Sequence, residues 1–305
     1  MTRLKVAFVS SGGAARGLAH LGVLKACEEI GVVPTIFVGA SAGALVAATY
    51  GQDIPLDVLL DAYRLPWRRR HRGPRLYMRT FLGAPRLGDM LDPGYLTSGL
   101  FSLDKLERYL EKFLPLNDFR KLHNQVFVTA VDVDTAERVV FGPGHREDVP
   151  ISKAVAASCC VPGLFRPMKI GDRYFLDGEI VKTLSADLAV AAGANVVIIS
   201  NVYKPEQRAP GERSLARSGG LGVLRQSLST LLAEKERRGV ELLARTYPRV
   251  VFIDIAPDIG EFSYLSRFNA RSLVLRGYRT ALRELTEAKE RGVFNTILSS
   301  NASLN

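Results

Sequence analysis

Residues 35–50 combine a serine with the glycine spacing that an exposed nucleophile needs. A short apolar run, Ile36–Val38, predicts a buried strand, and Gly39, Ser41 and Gly43 follow it as G-x-S-x-G before a helix of small apolar residues. In this strand–turn–helix context the pattern indicates a nucleophile elbow, which presents the serine Oγ on a tight turn. The helix behind Ser41 adds partial positive charge where an oxyanion would form. We predict Ser41 as a catalytic nucleophile, with an ordinary strand-to-helix turn as the alternative.

A glycine-rich loop is expected at the same edge of the sheet. The segment Gly12-Gly13-Ala14-Ala15-Arg16-Gly17 follows the apolar run Leu4–Ser10. Its spacing is close to a dinucleotide fingerprint, but the second strand ends in Val38-Gly39 and lacks the acidic residue which that fingerprint requires. Backbone N–H groups in such a loop can instead surround one anionic oxygen. We therefore favour an oxyanion hole beside Ser41, with Arg16 bracing the loop, contacting an anionic substrate group or lying in solvent.

A serine nucleophile needs a general base, and no histidine has the required position in the sequence. The four histidines are His20, His71, His123 and His145. None follows a late strand, where α/β-hydrolases carry the catalytic histidine. Asp177 ends a predicted strand and precedes Gly178, so its carboxylate can be presented at the sheet edge and act as a base. A hairpin turn is the alternative interpretation of this Asp-Gly pair.

Buried strands alternate with helices along most of the chain. Continuous apolar runs predict a mostly parallel sheet that is covered on both faces, in one α/β domain spanning residues 1–305. The predicted strands are Leu4–Ser10, Ile36–Val38, Val126–Val133, Glu137–Phe141, Met168–Ile170, Arg173–Leu176, Asn195–Ser200 and Val250–Ile255. We expect an irregular basic insertion at about 64–91 and a mobile polar loop at about 203–220.

Composition and charge restrict the functional class. No apolar run reaches the length of a membrane span, and the first apolar run is too short for a signal peptide, so we expect a cytoplasmic protein. Three cysteines without a C-x-x-C pattern give no sign of a disulfide framework or a zinc site, and no metal or cofactor is expected. One arginine run and no recognised nucleic-acid motif make nucleic-acid binding the weakest interpretation.

The net charge of +10 comes mostly from one segment. Residues 64–79 contain seven arginines and no acid, together with Trp67, Tyr77 and Met78, and Phe81 and Leu82 follow. A solvated insertion is one interpretation, because charge runs usually lie in solvent. The other is a lid that docks on an anionic membrane, with arginines at the phosphates and aromatic residues at headgroup depth.

Four blocks follow one another along the chain: Gly12 to Gly17 with Leu18-Ala19-His20 after it, Gly39 to Gly43, Ala156 to Pro167, and Asp177-Gly178-Glu179. In this order they resemble the patatin-like phospholipase family of serine lipid acyl hydrolases. The resemblance implies a three-layer α/β/α sandwich with a Ser–Asp dyad and no catalytic histidine. It also implies that Ser41 is the nucleophile, that Asp177 is the base, and that the N–H groups of Gly12, Gly13 and Ala14 form the oxyanion hole. The implied reaction cleaves a lipid acyl ester through an acyl-Ser41 intermediate.

Two residues depart from the family pattern. Ala14 stands where a third glycine is usual; it keeps its N–H, so a donor survives if the backbone there does not need a positive φ. Glu179 stands where Gly or Ala is usual, and its carboxylate can raise the pKa of Asp177 or point outward. A weak or inactive family member that binds acidic membrane surfaces is therefore the alternative to an enzyme. The sequence does not indicate an oligomeric state.

Overall fold

Eight strands form one mixed sheet in the computed structural model, which describes residues 4–62, 80, 83, 99–181, 184–208, 210–260, 262 and 269–295. The strands are β1 (Val6–Ser10), β2 (Ile36–Gly39), β3 (Gln125–Asp132), β4 (Arg138–Phe141), β5 (Met168–Ile170), β6 (Arg173–Asp177), β7 (Val196–Ser200) and β8 (Val251–Ile255). The α-helices are α1 (Leu18–Ile30), α2 (Ala42–Tyr50), α3 (Leu56–Ala62), α4 (Asp104–Phe113), α5 (Ile151–Ser158), α6 (Ala186–Ala191), α7 (Gly219–Thr246) and α8 (Ala270–Glu290). Short 3-10 helices lie at Ala14–Gly17, Phe119–Lys121 and Leu215–Ser218.

The strand order places the two predicted catalytic loops side by side. Strands β3, β2, β1, β7 and β8 are neighbours in this order and run parallel, while β4 and β6 pair antiparallel with β3. Ser10 at the end of β1 pairs with Gly39 at the end of β2. The loops that follow these two strands therefore leave the sheet together, at the carboxyl edge where open α/β sheets bind ligands.

Alternate residues of each central strand enter different cores, as the continuous apolar runs predict. On β1, Val6 and Phe8 pack into the larger core with α1, α2, α5 and α8, while Ala7 and Val9 pack into a smaller core with α6. Successive side chains of a strand point to opposite faces, so only a strand buried on both faces is apolar throughout. The result is three layers, and the predicted mixed α/β fold is confirmed.

Helices α1 and α8 cross at backbone contact because each contributes a glycine. A Cβ atom on Gly22 would lie 2.0 Å from the carbonyl oxygen of Val274, and one on Gly277 would lie 2.1 Å from that of Ala19. No side chain fits at either position, so the two helices approach more closely than most pairs do. This packing fixes α1, which continues the glycine-rich loop.

Helix α7 is much longer than the sheet that it covers. Its 28 residues span about 42 Å at 1.5 Å per residue, whereas the five residues of β8 span about 17 Å. Near the C-terminal end of α7, Val240 and Leu243 pack on the smaller core. The N-terminal half therefore extends past the carboxyl edge of the sheet. Within the described ranges, no helix combines the length and apolarity that a membrane span needs.

Each predicted strand is present, with its ends shifted by at most two residues. The predicted polar loop at about 203–220 contains the 3-10 helix Leu215–Ser218, and α7 begins within it at Gly219. Ser214 explains this difference, since its Oγ accepts a hydrogen bond from the N–H of Ala216 and caps the 3-10 helix. Most of the predicted basic insertion at about 64–91, including the seven arginines of residues 64–79, lies outside the described residues.

Candidate active site

Ser41 lies in a strained turn between β2 and α2. Its φ of 52° and ψ of −122° are unusual for a residue with a Cβ atom, and it is buried. Added Cβ atoms would lie 2.3 Å from the backbone of Gly43 at Gly39, and 2.2 Å from the carbonyl oxygen of Ser10 at Gly43. Both glycines of the G-x-S-x-G pattern are therefore required by close backbone contacts on either side of Ser41.

The backbone of Ser41 is held by the end of α5. Its N–H donates to Ser158 Oγ at 2.9 Å, and the Ser158 hydroxyl donates to the carbonyl oxygen of Thr129 at 2.7 Å. The Cys159 thiol contacts the carbonyl oxygen of Ser41 at 3.3 Å. Sequence reasoning did not find this role for Ser158 and Cys159, although both belong to the small-residue block Ala156 to Pro167.

Asp177 lies close to Ser41 because β2 and β6 both pair with β3. Strand β2 pairs with β3 up to Val128, and β6, running in the opposite direction, ends at Asp177 opposite Ala130. A Cβ atom on Gly178 would lie 2.2 Å from the carbonyl oxygen of Thr129, so the chain turns against β3 itself. This close contact brings the Asp177 carboxylate to the elbow.

The carboxylate of Asp177 is buried near the Ser41 side chain. Burial raises the pKa of Asp177 to about 6, against hydrogen bonds from the Glu179 N–H and the Ser41 side chain, which lower it. The Glu179 N–H donates to Asp177 Oδ1 at 3.0 Å. At pH 7 the carboxylate is therefore mostly ionised, yet basic enough to accept a proton.

The glycine-rich loop presents three N–H groups with different partners. The Gly12 N–H donates to Glu179 Oε1 at 2.7 Å. In the described part of the chain, the N–H groups of Gly13 and Ala14 have no hydrogen-bond acceptor. Gly13 has a φ of 138° and Ala14 a φ of 48°, so Ala14 adopts the left-handed conformation for which a glycine is better suited. Two donors are thus open, and the third is occupied by a carboxylate.

Glu179 is a buried acid beside the loop and the candidate base. Burial raises its pKa to about 8, with the negative charge of Asp177 as the next cause, while the Gly12 N–H and Lys235 lower it. Its Oε2 atom has no hydrogen-bond partner among the described residues. Lys235 of α7 donates from Nζ to the carbonyl oxygen of Ile180 at 2.8 Å. Glu179 therefore points inward, not outward.

His20 and Arg16 have partners that explain their burial. His20 Nε2 lies 2.8 Å from the carbonyl oxygen of Ser11, and Nδ1 lies 2.6 Å from Ser200 Oγ. The carbonyl requires a proton on Nε2, and burial lowers the pKa of His20 to about 4, so the ring is neutral. Arg16 donates to the backbone carbonyls of Lys204, Gly260 and Phe262, and so ties the glycine-rich loop to two distant segments.

The family model of patatin-like phospholipase matches residues 8–190, which is more than half of the chain and includes every predicted site residue. The chain belongs to the patatin-like phospholipase family. The predicted resemblance is thereby confirmed.

The relatives of this patatin-like chain are longer proteins. It is 26% identical over 293 residues to an uncharacterized NTE family protein of Mycobacterium tuberculosis, covering 92% of this chain and 46% of the relative. It is 27% identical to human patatin-like phospholipase domain-containing protein 6, covering 68% of this chain and 14% of the relative. With lysophospholipase nte1 of Aspergillus fumigatus it is 26% identical, over 67% of this chain and 12% of the relative. The chain thus spans about half the length of these curated relatives, or less.

A solved structure shares the fold. VipD from Legionella pneumophila superposes with a TM-score of 0.52 at 14% identity, covering 93% of this chain and 67% of that chain. At this identity the likeness concerns the fold alone. It agrees with the mixed sheet and flanking helices described above.

Proposed function

We propose that this patatin-like chain is a serine lipid acyl hydrolase that cleaves carboxylic esters of lipids or phospholipids with a Ser41–Asp177 dyad. The observation that carries the proposal is the approach of Asp177, at the end of β6, to Ser41, which follows β2, where both strands pair with β3. Membership of the patatin-like phospholipase family and the likeness to lysophospholipase nte1 support a lipid substrate.

In the proposed reaction Asp177 first accepts a proton and later returns it. Asp177 accepts the proton of Ser41 Oγ as that oxygen attacks the ester carbonyl carbon. The N–H groups of Gly13 and Ala14 donate to the resulting oxyanion. Collapse breaks the ester bond, and the leaving alcohol takes the proton from Asp177. Water then cleaves acyl-Ser41, with Asp177 again as the base, and regenerates the hydroxyl and the free fatty acid.

The nucleophile is tested by covalent labelling of the purified protein. A fluorophosphonate probe should modify Ser41, as mapped by peptide mass spectrometry, and Ser41→Ala should abolish both labelling and hydrolysis of a soluble ester. The variant should keep the parent's melting temperature, because the substitution removes only the hydroxyl oxygen of Ser41. A Ser41→Ala variant that retains most of the parent's rate would contradict the assignment.

The base is tested by a pair of variants. Asp177→Asn should lower kcat by about 10²–10⁴-fold, the usual contribution of a general base. His20→Gln should keep substantial activity, since His20 is neutral and both ring nitrogens face structural partners. The reverse result, an active Asp177→Asn and an inactive His20→Gln that still folds, would move the base to His20.

A second function is favoured by the contact between Glu179 and the Gly12 N–H. With one predicted donor of the oxyanion hole occupied by the carboxyl group of Glu179, the chain would be a weak or inactive family member that binds acidic membrane surfaces without turnover. Labelling distinguishes the two proposals: a folded protein that binds vesicles, but whose Ser41 does not react with fluorophosphonate, supports this second function.

A further inference from the structure

The N-terminal half of α7 carries three exposed leucines on one face of the helix. Leu224, Leu228 and Leu231 are 55%, 52% and 61% exposed. Their i, i+4, i+7 spacing places them on one stripe, which we call the leucine ridge. Beside it, Leu215 and Val223 line an open groove of about 630 Å³ between α7 and the preceding 3-10 helix. In the described part of the chain nothing covers this apolar surface.

The leucine ridge lies on the side of the molecule where the candidate active site opens. Lys235 donates from Nζ to the carbonyl oxygen of Ile180, three residues after Asp177, at 2.8 Å. This contact fixes one point of α7 at the site. The ridge lies on the one to three helical turns before that point, on the half of α7 that extends past the carboxyl edge of the sheet.

Basic side chains lie next to the ridge. The exposed residues Arg208, Arg213 and Arg217 line a concavity of about 480 Å³ together with Glu212 and Ser214. Arg208 also pairs with Glu206 at 3.4 Å. The sequence from 207 to 233 contains four arginines and a single acid. An apolar stripe bordered by arginines matches a surface that is apolar inside and negatively charged outside.

We propose that the leucine ridge docks the protein on anionic phospholipid bilayers, with Arg213 and Arg217 at the phosphates and the leucines below them. A stable contact with a second copy would need about 800 Å² from each partner, and three leucine side chains supply only part of that area. A bilayer needs no matching partner shape, because a helix lying in the interface gains from burying one apolar face. The choice of a lipid bilayer as the binding partner rests on the proposed lipid acyl hydrolase function. The docking surface itself is a different part of the molecule.

Vesicle binding tests the ridge without turnover. Ser41→Ala protein is sedimented with phosphatidylcholine vesicles that contain phosphatidylglycerol. Leu224→Ser with Leu228→Ser should weaken binding by about tenfold or more, since each buried leucine contributes more than a factor of ten. The matched control is Leu242→Ser: Leu242 is 65% exposed on the same helix but lies about 27 Å from Leu224, at 1.5 Å per residue. This control should bind as the Ser41→Ala protein does.

The arginines are tested by charge and by salt. Arg213→Gln with Arg217→Gln should weaken binding and reduce its dependence on ionic strength, because surface charges are screened by salt. Arg245→Gln, in the last turn of α7, is the matched control and should change little. Vesicles of phosphatidylcholine alone should bind the unmodified protein more weakly than anionic vesicles. Equal binding to both vesicle types would contradict the proposed role of the arginines.

A fluorescence measurement tests the leucine ridge even if the double-serine variant folds poorly. Trp67 is the single tryptophan, so Leu228→Trp in a Trp67→Phe background reports one position. Its emission should shift to the blue on addition of anionic vesicles and be quenched by brominated lipids, whereas Leu242→Trp should not respond. No shift at position 228, or normal vesicle binding by the folded double-serine variant, would overturn the proposal. A dimer that the double-serine change converts to a monomer would instead assign the ridge to a second copy.

Two results separate this proposal from the proposed function. With Ser41 intact, the double-serine variant should hydrolyse a short soluble ester at the parent's rate and lose activity only on vesicles. If the parent binds vesicles through the ridge but shows no esterase activity, the hydrolase proposal fails and the docking surface stands. If the parent hydrolyses soluble ester but does not bind vesicles, the docking proposal fails alone.

Discussion

Glu179 is one of the two residues that separate this site from the family pattern. Its carboxylate accepts the Gly12 N–H at 2.7 Å, and Gly12 is one of the predicted oxyanion-hole donors. Glu179 shares the region with Asp177, Lys235 and Glu236. When Glu179 is ionised, a negative charge lies next to the loop that would have to stabilise a second negative charge. The protonation state of Glu179 should therefore control the rate.

We predict a bell-shaped dependence of kcat/KM on pH. Asp177 must be ionised to act as the base, so the rate should rise as pH increases through about 6. Glu179 becomes ionised as pH passes about 8, and the rate should then fall. Values of kcat/KM for hydrolysis of a soluble ester, measured between pH 5 and 9.5, check both the rise and the fall. A rate that keeps rising above pH 9 would exclude this role of Glu179.

Two substitutions at Glu179 separate the effect of its charge on the rate from the effect of its hydrogen bond with the Gly12 N–H. Glu179→Gln keeps an acceptor for the Gly12 N–H but has no charge, so it should remove the alkaline limb and leave the maximum rate similar. Glu179→Ala also frees the N–H, and since one oxyanion donor contributes about 10²–10³-fold, the maximum rate should increase by about tenfold or more. Identical rate maxima for Gln and Ala would show that the Gly12 N–H takes no part in the reaction.

At the scale of helices, two glycines in helix interiors should respond in opposite directions to the same substitution. Gly277 lies at the crossing of α1 and α8, where a Cβ atom would meet the Ala19 carbonyl oxygen at 2.1 Å, whereas Gly239 of α7 has nothing within 4 Å. Gly277→Ala should destabilise the protein by about 1–3 kcal/mol through overpacking. Gly239→Ala should stabilise it by about 0.5–1 kcal/mol, because alanine loses less backbone freedom in a helix.

Urea denaturation followed by circular dichroism measures both changes, and the comparison needs no absolute stability. A Gly277→Ala variant as stable as the parent would mean that α1 and α8 can separate without cost. Destabilisation by Gly239→Ala would mean that this part of α7 contacts another surface.

The elements could be predicted from the sequence because their signals are local. Unbroken apolar runs marked the strands, and Gly31 ended α1 with a φ of 81°. The glycine-rich loop, the elbow and Asp177 were found because each follows a strand. The contact of Glu179 with Gly12 was not predicted, since it joins residues 167 positions apart and depends on how β6 meets β3. The hydrogen bond from Ser41 to Ser158 was missed for the same reason.

For the molecule as a whole, buried acids make stability depend on pH. Burial raises the pKa of both Glu179 and Glu236 in the folded protein above the value of about 4.3 for an unfolded chain. Above pH 4.3 the unfolded chain loses these protons while the folded protein keeps them. The free energy of unfolding should therefore fall as pH rises from about 4.3 toward 8.

Glu236→Gln should remove part of this dependence. The variant should lose less stability than the parent between pH 5 and 8, because the amide cannot ionise. Thermal melts at a series of pH values measure the difference, with the exposed Glu290→Gln as a control that should follow the parent. Parallel curves for the parent and Glu236→Gln would contradict the assignment of Glu236 as a buried, protonated acid.

The hydrogen bonds of Arg16 have a consequence for the order in which the site can form during synthesis. Its guanidinium holds the glycine-rich loop through the carbonyls of Lys204, Gly260 and Phe262, which lie 188 to 246 positions later in the chain. A ribosome makes Ser41 and the loop early, yet the last anchor of that loop emerges only with residue 262. On the proposed function, a nascent chain would carry Ser41 before its loop is held in place to stabilise an oxyanion, and ester hydrolysis would begin only after residue 262 has been added.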